Sequence, residues 1–163
     1  MAVEFDLMLE RAVLDKEMML DELESYGAVD KALCLNKKQS FTCASYYESH
    51  GFMLYLLNKD KPASSIWDTQ FPPKEFVYSQ VLTFRFNHEF DSQFVYEHAI
   101  RIILSLMDKV DSRALLDMCM LIELAFFDND KSVIINTKSA IWSYSAIRKE
   151  LSGWDVKEVE LVQ

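Results

Sequence analysis

The sequence predicts an α+β domain: an antiparallel sheet of about six to eight strands packed by two main helices, at about 15–26 and 92–110. Three observations carry this. Two segments, 2–10 and 76–87, alternate apolar and polar residues with period two. Residues 92–110 place apolar side chains at helical spacing over a broad face. The order of segments reads β-α-β-β-β-β-α-β-β-β, in which strands follow one another without intervening crossover helices. A length of 163 residues, half of them hydrophobic, suits one domain with an ample core, and three Gly and three Pro leave little room for long linkers.

The elements follow in order. Val3, Phe5, Leu7 and Leu9 alternate with Glu4, Asp6, Met8 and Glu10, a half-buried strand. Asp15 is placed to cap a helix running to about Tyr26, with Met19, Leu20, Leu23 and Tyr26 as its apolar stripe and Gly27 as its stop. Residues 31–58 read as a meander: Ala32 to Asn36, Ser40 to Tyr47 and Phe52 to Asn58. The last two join through Glu48-Ser49-His50-Gly51. Lys59 to Glu75, with Pro62, Pro72 and Pro73, is the longest irregular stretch. Ile66, Trp67 and Phe71 are expected to pack it down.

Phe76 to Asn87 reads as one strand, with Tyr78, Gln80, Leu82, Phe84 and Phe86 on one side. Asp91 or Ser92 caps the second helix, whose buried face is Val95, Ala99, Ile102, Ile103, Leu106 and Val110. Ala114 to Met118 is a strand. Leu121 to Phe127 and Val133 to Asn136 form a hairpin around Asp128 to Lys131. A short helix near Ser143 to Leu151 and a strand at Val156 to Val162 close the chain.

Charge and composition narrow the function. A net charge of −9 disfavours nucleic acid as a direct ligand, since duplex binding rests on Lys and Arg neutralising phosphate. Between Glu4 and Asp30, nine acids stand against Arg11 and Lys16, so this segment carries −7 of the total. The three cysteines, Cys34, Cys43 and Cys119, are widely spaced and form no CxxC, which points to buried thiols in a reducing compartment. The acidic N-terminus lacks a signal's basic flank, and Glu123 interrupts the apolar run from Met118 to Phe127. The expectation is a cytoplasmic protein with no membrane span, a monomer or weak dimer.

Chemistry-bearing constellations are few. His88, Glu89 and Asp91 sit between the clearest strand and the best helix, but no HxxxH, HExxH or CxxC joins them into a metal site, and acids at a helix N-terminus account for them. Asp128-Asn129-Asp130-Lys131 lacks the Gly and distal Glu of a calcium loop. Cys43 and His50 could meet across the Ser40 to Asn58 hairpin, yet Cys43 lies in an apolar alternation that suits a buried thiol. GxSxG, P-loop and GxGxxG are absent from the sequence, so no catalytic residue, cofactor or metal is assigned. The acidic helix residues Asp15, Glu17, Asp21, Glu22 and Glu24, the cluster His88, Glu89 and Asp91, and Trp67 are the candidate partner-binding residues, as carboxylates and an aromatic anchor for a basic protein. For the acids, a merely solvated face is the competing reading.

Three stretches resemble one family. The opening MAVEFDLMLERAVLDKEMMLDEL, the strand VLTFRFNHEFD (Val81 to Asp91) and the hairpin LAFFDNDKSVIINTKSAIW (Leu124 to Trp142) resemble, in that order, segments of the swarming-interference (Sit-type) bacterial toxin-immunity proteins. Lys31 to Glu75 lies outside the resemblance, and the turn at Asn129 lacks the pattern's Gly. The resemblance implies a non-catalytic cytoplasmic antidote that binds a cognate toxin domain, a basic nuclease being expected, and occludes its active site. Immunity proteins of contact-dependent growth inhibition share this composition, and the two classes stay open. A regulatory or adaptor module with another protein partner is the alternative. A small hydrolase or metal-dependent enzyme is the third reading, with metal content and loss of activity in His88→Ala as its signature.

Overall fold

The computed structural model describes residues 2–59 and 65–162, so Pro62 of the expected irregular stretch lies outside the described residues. Its strands are β1 (Glu4–Leu9), β2 (Cys34–Asn36), β3 (Ser40–Cys43), β4 (Phe52–Asn58), β5 (Ile66–Asp68), β6 (Glu75–Val77), β7 (Gln80–Phe86), β8 (Ala114–Met118), β9 (Ile122–Phe127), β10 (Ser132–Asn136) and β11 (Asp155–Val159). Its α-helices are α1 (Lys16–Glu24), α2 (Ser92–Lys109) and the short α3 (Ser145–Glu150). Nine strands form one sheet in the order β11-β10-β9-β8-β1-β7-β4-β3-β2, while β5 and β6 pair separately.

The α+β class holds, with a sheet larger than the six to eight strands expected; beside the two main helices, the short α3 falls within the helix expected near Ser143 to Leu151. One pair departs from the antiparallel rule: β10 and β11 run parallel. The segment between them contains α3, and a parallel pair needs such a crossover.

Alternation decides the two faces of the sheet. Phe5, Leu7 and Leu9 of β1 join Leu82, Phe84 and Phe86 of β7 and Leu54 and Leu56 of β4 in a core covered by all three helices. The opposite residues, Met8, Leu115 and Phe126, belong to a second, smaller cluster with Phe71 and Phe76. Those two phenylalanines come from the segment around β5 and β6, which folds back over the helix-free face. Trp67 packs down with them as expected, whereas Ile66 stays 55% exposed.

Both main helices start where their caps predict. Asp15 Oδ1 accepts the Met18 N–H at 2.9 Å, and Asp91, rather than Ser92, caps α2 by accepting from Phe94 N–H at 3.2 Å. Each cap satisfies an otherwise orphaned donor. The approach to α1 is pinned from the sheet: Gln80 accepts the Leu14 N–H at 3.0 Å and donates to the Leu14 carbonyl at 2.8 Å. Below α1, the Tyr46 hydroxyl lies 2.8 Å from the carbonyls of both Leu23 and Gly27. Gly51, at φ +82°, must stay small, because a Cβ there would sit 2.6 Å from both Phe90 and Val95.

Several boundaries differ from expectation: the strand expected from Ala32 starts at Cys34 after a 3-10 turn over Lys31–Leu33, α1 ends at Glu24, and the stretch expected to be irregular holds β5. The strand from Ser40 ends at Cys43, because Ala44 turns away and donates its N–H to Leu33. The single strand expected over 76–87 is two. Tyr78 donates to Ser65, Ser79 donates to Leu9, and the chain leaves the small sheet for the large one between them. That junction reverses the alternation: Tyr78 packs on the helix-free side, while Leu82 and Phe84 face the helices. The last strand, expected over 156–162, ends at Val159.

Cys34 and Cys43 are register partners in β2 and β3, their sulfurs 3.1 Å apart as free thiols. Cys43 is buried, as its alternation implies, and meets Cys34.

Candidate functional site

The helices leave one face of the sheet open, and strand register writes a polar row across it. Thr42 on β3 pairs with Tyr55 on β4, Tyr55 with Thr83 on β7, Thr83 with Asp6 on β1, Asp6 with Asp117 on β8, and Asp117 with Glu123 on β9. Because one strand's period places every second residue on this face, six neighbouring strands deliver one side chain each to the row.

The row is not uniform. Beside its middle, one period along the same strands β1 and β7, Arg85 answers Glu4, with Nε 2.8 Å from Oε1. In the middle the Thr83 hydroxyl donates to Asp6 Oδ1 at 2.6 Å. Burial raises the Asp6 carboxyl above the usual range, with the charge of Glu4 adding and the Thr83 bond opposing. At the far end Glu123 tethers the folded-back segment: it accepts the Thr69 hydroxyl at 2.8 Å and the Gln70 N–H at 3.0 Å, and lies 3.4 Å from the Trp67 indole nitrogen.

Asp117 sits between them with no such support. It is 1% exposed, and neither carboxylate oxygen has a hydrogen-bond partner. Burial, reinforced by the charges of Asp6 and Glu123 and opposed by the nearby Met120 N–H, which falls short of hydrogen-bond geometry, pushes its carboxyl up to about 7. Three shallow hollows of about 210, 180 and 200 Å³ run along this face. The first two share Tyr55 and Thr83 as walls, and the last two share Trp67 and Met120, so they adjoin one another in a line along this face, here called the trough.

The turn from β8 to β9 overhangs the trough. Cys119 and Met120 both have left-handed backbones, φ 57° and 59°, and Leu121 donates its N–H to Met118. This is the turn geometry that favours Asn-Gly, built here from two side-chain-bearing residues. It holds Met120 and Leu121 outward, 66% and 74% exposed.

The sequence-chosen residues are spread over both faces. Asp15, Glu17, Asp21 and Glu24 are exposed on α1, and no ion pair involves them among the described residues. Glu22 is different. It accepts from the Ser105 hydroxyl at 2.7 Å and pairs with Lys109, so it joins α1 to α2. The local charge of −7 is also divided: Glu4 pairs with Arg85, Glu10 with Arg113, and Asp30 caps a turn by accepting from Ala32 N–H. Neighbouring positions in a strand and a helix point to different faces, so closeness along the chain does not make a patch.

His88, Glu89 and Asp91 are exposed ahead of α2, and Asp91 is engaged as the cap. No group of three metal-binding side chains converges among the described residues. His50 lies beside His98, Tyr26 and Tyr46 in an aromatic cluster. Trp67 alone of the sequence-chosen residues lies at the trough. The sequence reading does not single out Asp6, Asp117 or Met120. The available signal for Asp117 is an acid inside the otherwise apolar strand ALLDM.

Compared with family models, with curated proteins and with solved structures, the chain gives no match. No described helix is long and apolar enough to cross a membrane.

Proposed function

We propose that this protein is an immunity protein: it binds a cognate toxin domain and occludes it, using the trough on its helix-free face. The observation that supports this reading is the meeting of unlike features at one place. A buried carboxylate without partners, an aromatic wall at Trp67 and two outward apolar side chains, Met120 and Leu121, share one concave surface. Interface centres combine aromatic and apolar anchors with a few polar groups, and exposed apolar side chains beside such groups mark protein-binding surfaces. Acidic residues suit a basic partner, as a nuclease domain would be.

Co-expression with the product of the neighbouring gene, followed by affinity capture on the full chain, tests the reading. The expected result is a one-to-one complex and relief of that product's growth inhibition. Undiminished toxicity with no complex refutes it. Leu121→Asp, at a position 74% exposed, is expected to lose capture without losing fold.

A further inference from the structure

We infer that the hollow between Trp67 and Asp117 receives the guanidinium of an arginine side chain from the bound partner, with Asp117 as its buried counter-ion. The inference rests on the protein-binding reading above and names what the partner inserts.

Burying a carboxylate without a donor is costly, and such a group is retained where something else completes it. Asp117 is that group: 1% exposed, both oxygens without partners, and part of the wall of a hollow of about 200 Å³. The charged groups facing it are acidic from every side: Asp6 on β1, Glu123 on β9 and Asp68 at the end of β5. No Lys or Arg belongs to this wall among the described residues. A cation entering the hollow therefore meets an uncompensated negative field.

The geometry favours a planar organic cation over a metal ion. Metal ions such as calcium draw on six to eight oxygens, whereas Glu123 is already engaged by Thr69 and Gln70, and Asp6 by Thr83. A guanidinium suits a carboxylate whose two oxygens both lack a partner, as those of Asp117 do. Trp67 supplies an aromatic surface beside the charge, and Met120, Leu121 and Leu161 line the way in, suited to the methylene stem of arginine.

The test is a titration of the ¹⁵N-labelled full chain with Nα-acetyl-arginine amide at pH 8, followed by NMR. Expected are saturable shifts of the Trp67 indole N–H, the Asn136 side-chain amide and the backbone amides of Met120 and Leu121, with a dissociation constant in the millimolar range. Binding should weaken about tenfold at pH 6, where a carboxyl titrating near 7 is about nine-tenths protonated. Nα-acetyl-lysine amide should bind at least about fivefold more weakly, through loss of the bidentate contact. Asp117→Asn, nearly isosteric and checked for fold by its remaining resonances, should abolish the shifts.

Absent shifts, equal binding of the lysine probe, unchanged binding in Asp117→Asn, or the same shifts with calcium or magnesium alone would each overturn the assignment. The probe needs no partner protein. Failure here with a stable toxin complex removes the arginine pocket only, whereas binding here without any complex removes the immunity reading and leaves the pocket.

Discussion

Among the described residues, two side chains hold buried polar atoms without partners, Asp117 and His98, and they respond to pH with opposite signs. Asp117 has a folded-state pKa raised from its ordinary value to about 7. Between about pH 4 and 7 the folded chain therefore binds more protons than the unfolded one, and stability falls as pH rises through that window. The penalty above pH 7 amounts to a few kcal/mol at most. Asp117→Asn removes the titration, so the urea midpoint should become nearly flat from pH 5 to 8, with the variant more stable than the parent at pH 8. A variant that keeps the parent's slope would assign it to other carboxyls. His98 behaves inversely. Both its ring nitrogens are buried without partners, against Phe94 at 4.4 Å and Tyr26 at 5.0 Å. Burial, then the neighbouring His50 and Arg101, lowers its pKa below the ordinary value. Stability is present above the unfolded value and lost as pH falls through the folded one. His98→Phe fills the same aromatic cage without an unpaired polar atom. It should stabilise by about 1 kcal/mol near neutrality and by more in acid, read from denaturant midpoints.

Among the elements, the β8–β9 turn sets stability against display. Two left-handed, non-glycine residues cost on the order of 1 kcal/mol each, and such strain concentrates where side chains must be presented. Cys119→Asn combined with Met120→Gly adopts this geometry freely. The double variant should raise the unfolding free energy by about 1–2 kcal/mol and weaken partner capture, because Met120 leaves the trough. Unchanged stability would show that the turn carries no strain. Elements such as this also mark how far the sequence could be read. The caps at Asp15 and Asp91, the alternation of β1 and the apolar face of α2 were legible because each depends on residues within one or two turns of chain. The break at Ser79 was not, since it arises from bonds to Leu9 and Ser65 that only the fold brings near. Of the site, Trp67 was legible as a candidate anchor. Glu123 appeared only as a charge interrupting an apolar run, and its tie to Thr69 and Gln70 spans more than fifty residues. The acidic row exists only in the register of β1, β8 and β9, which local pattern does not specify.

At the scale of the molecule, the two acidic features lie on opposite sides of the sheet and should act on different rate constants. Asp15, Glu17, Asp21 and Glu24 face solvent on the helix side, while Asp117 is buried on the other. A bound partner seated on the trough does not touch α1, yet the net charge of −9 still acts over a Debye length of roughly 10 Å at 0.1 M salt. Exposed charges steer encounter, whereas a buried, hydrogen-bonded charge governs escape. Reversing Glu17, Asp21 and Glu24 to Lys, and leaving Glu22 to join the helices, should slow association with a basic toxin by about tenfold or less at low salt, with dissociation unchanged and the difference vanishing at high salt. Asp117→Asn should do the reverse, speeding dissociation with little change in the on-rate or its salt dependence. Stopped-flow association and surface-based dissociation, run at two salt concentrations on both variants, separate the cases. If the α1 reversals speed dissociation instead, the helix side is itself the interface, and the trough loses its role.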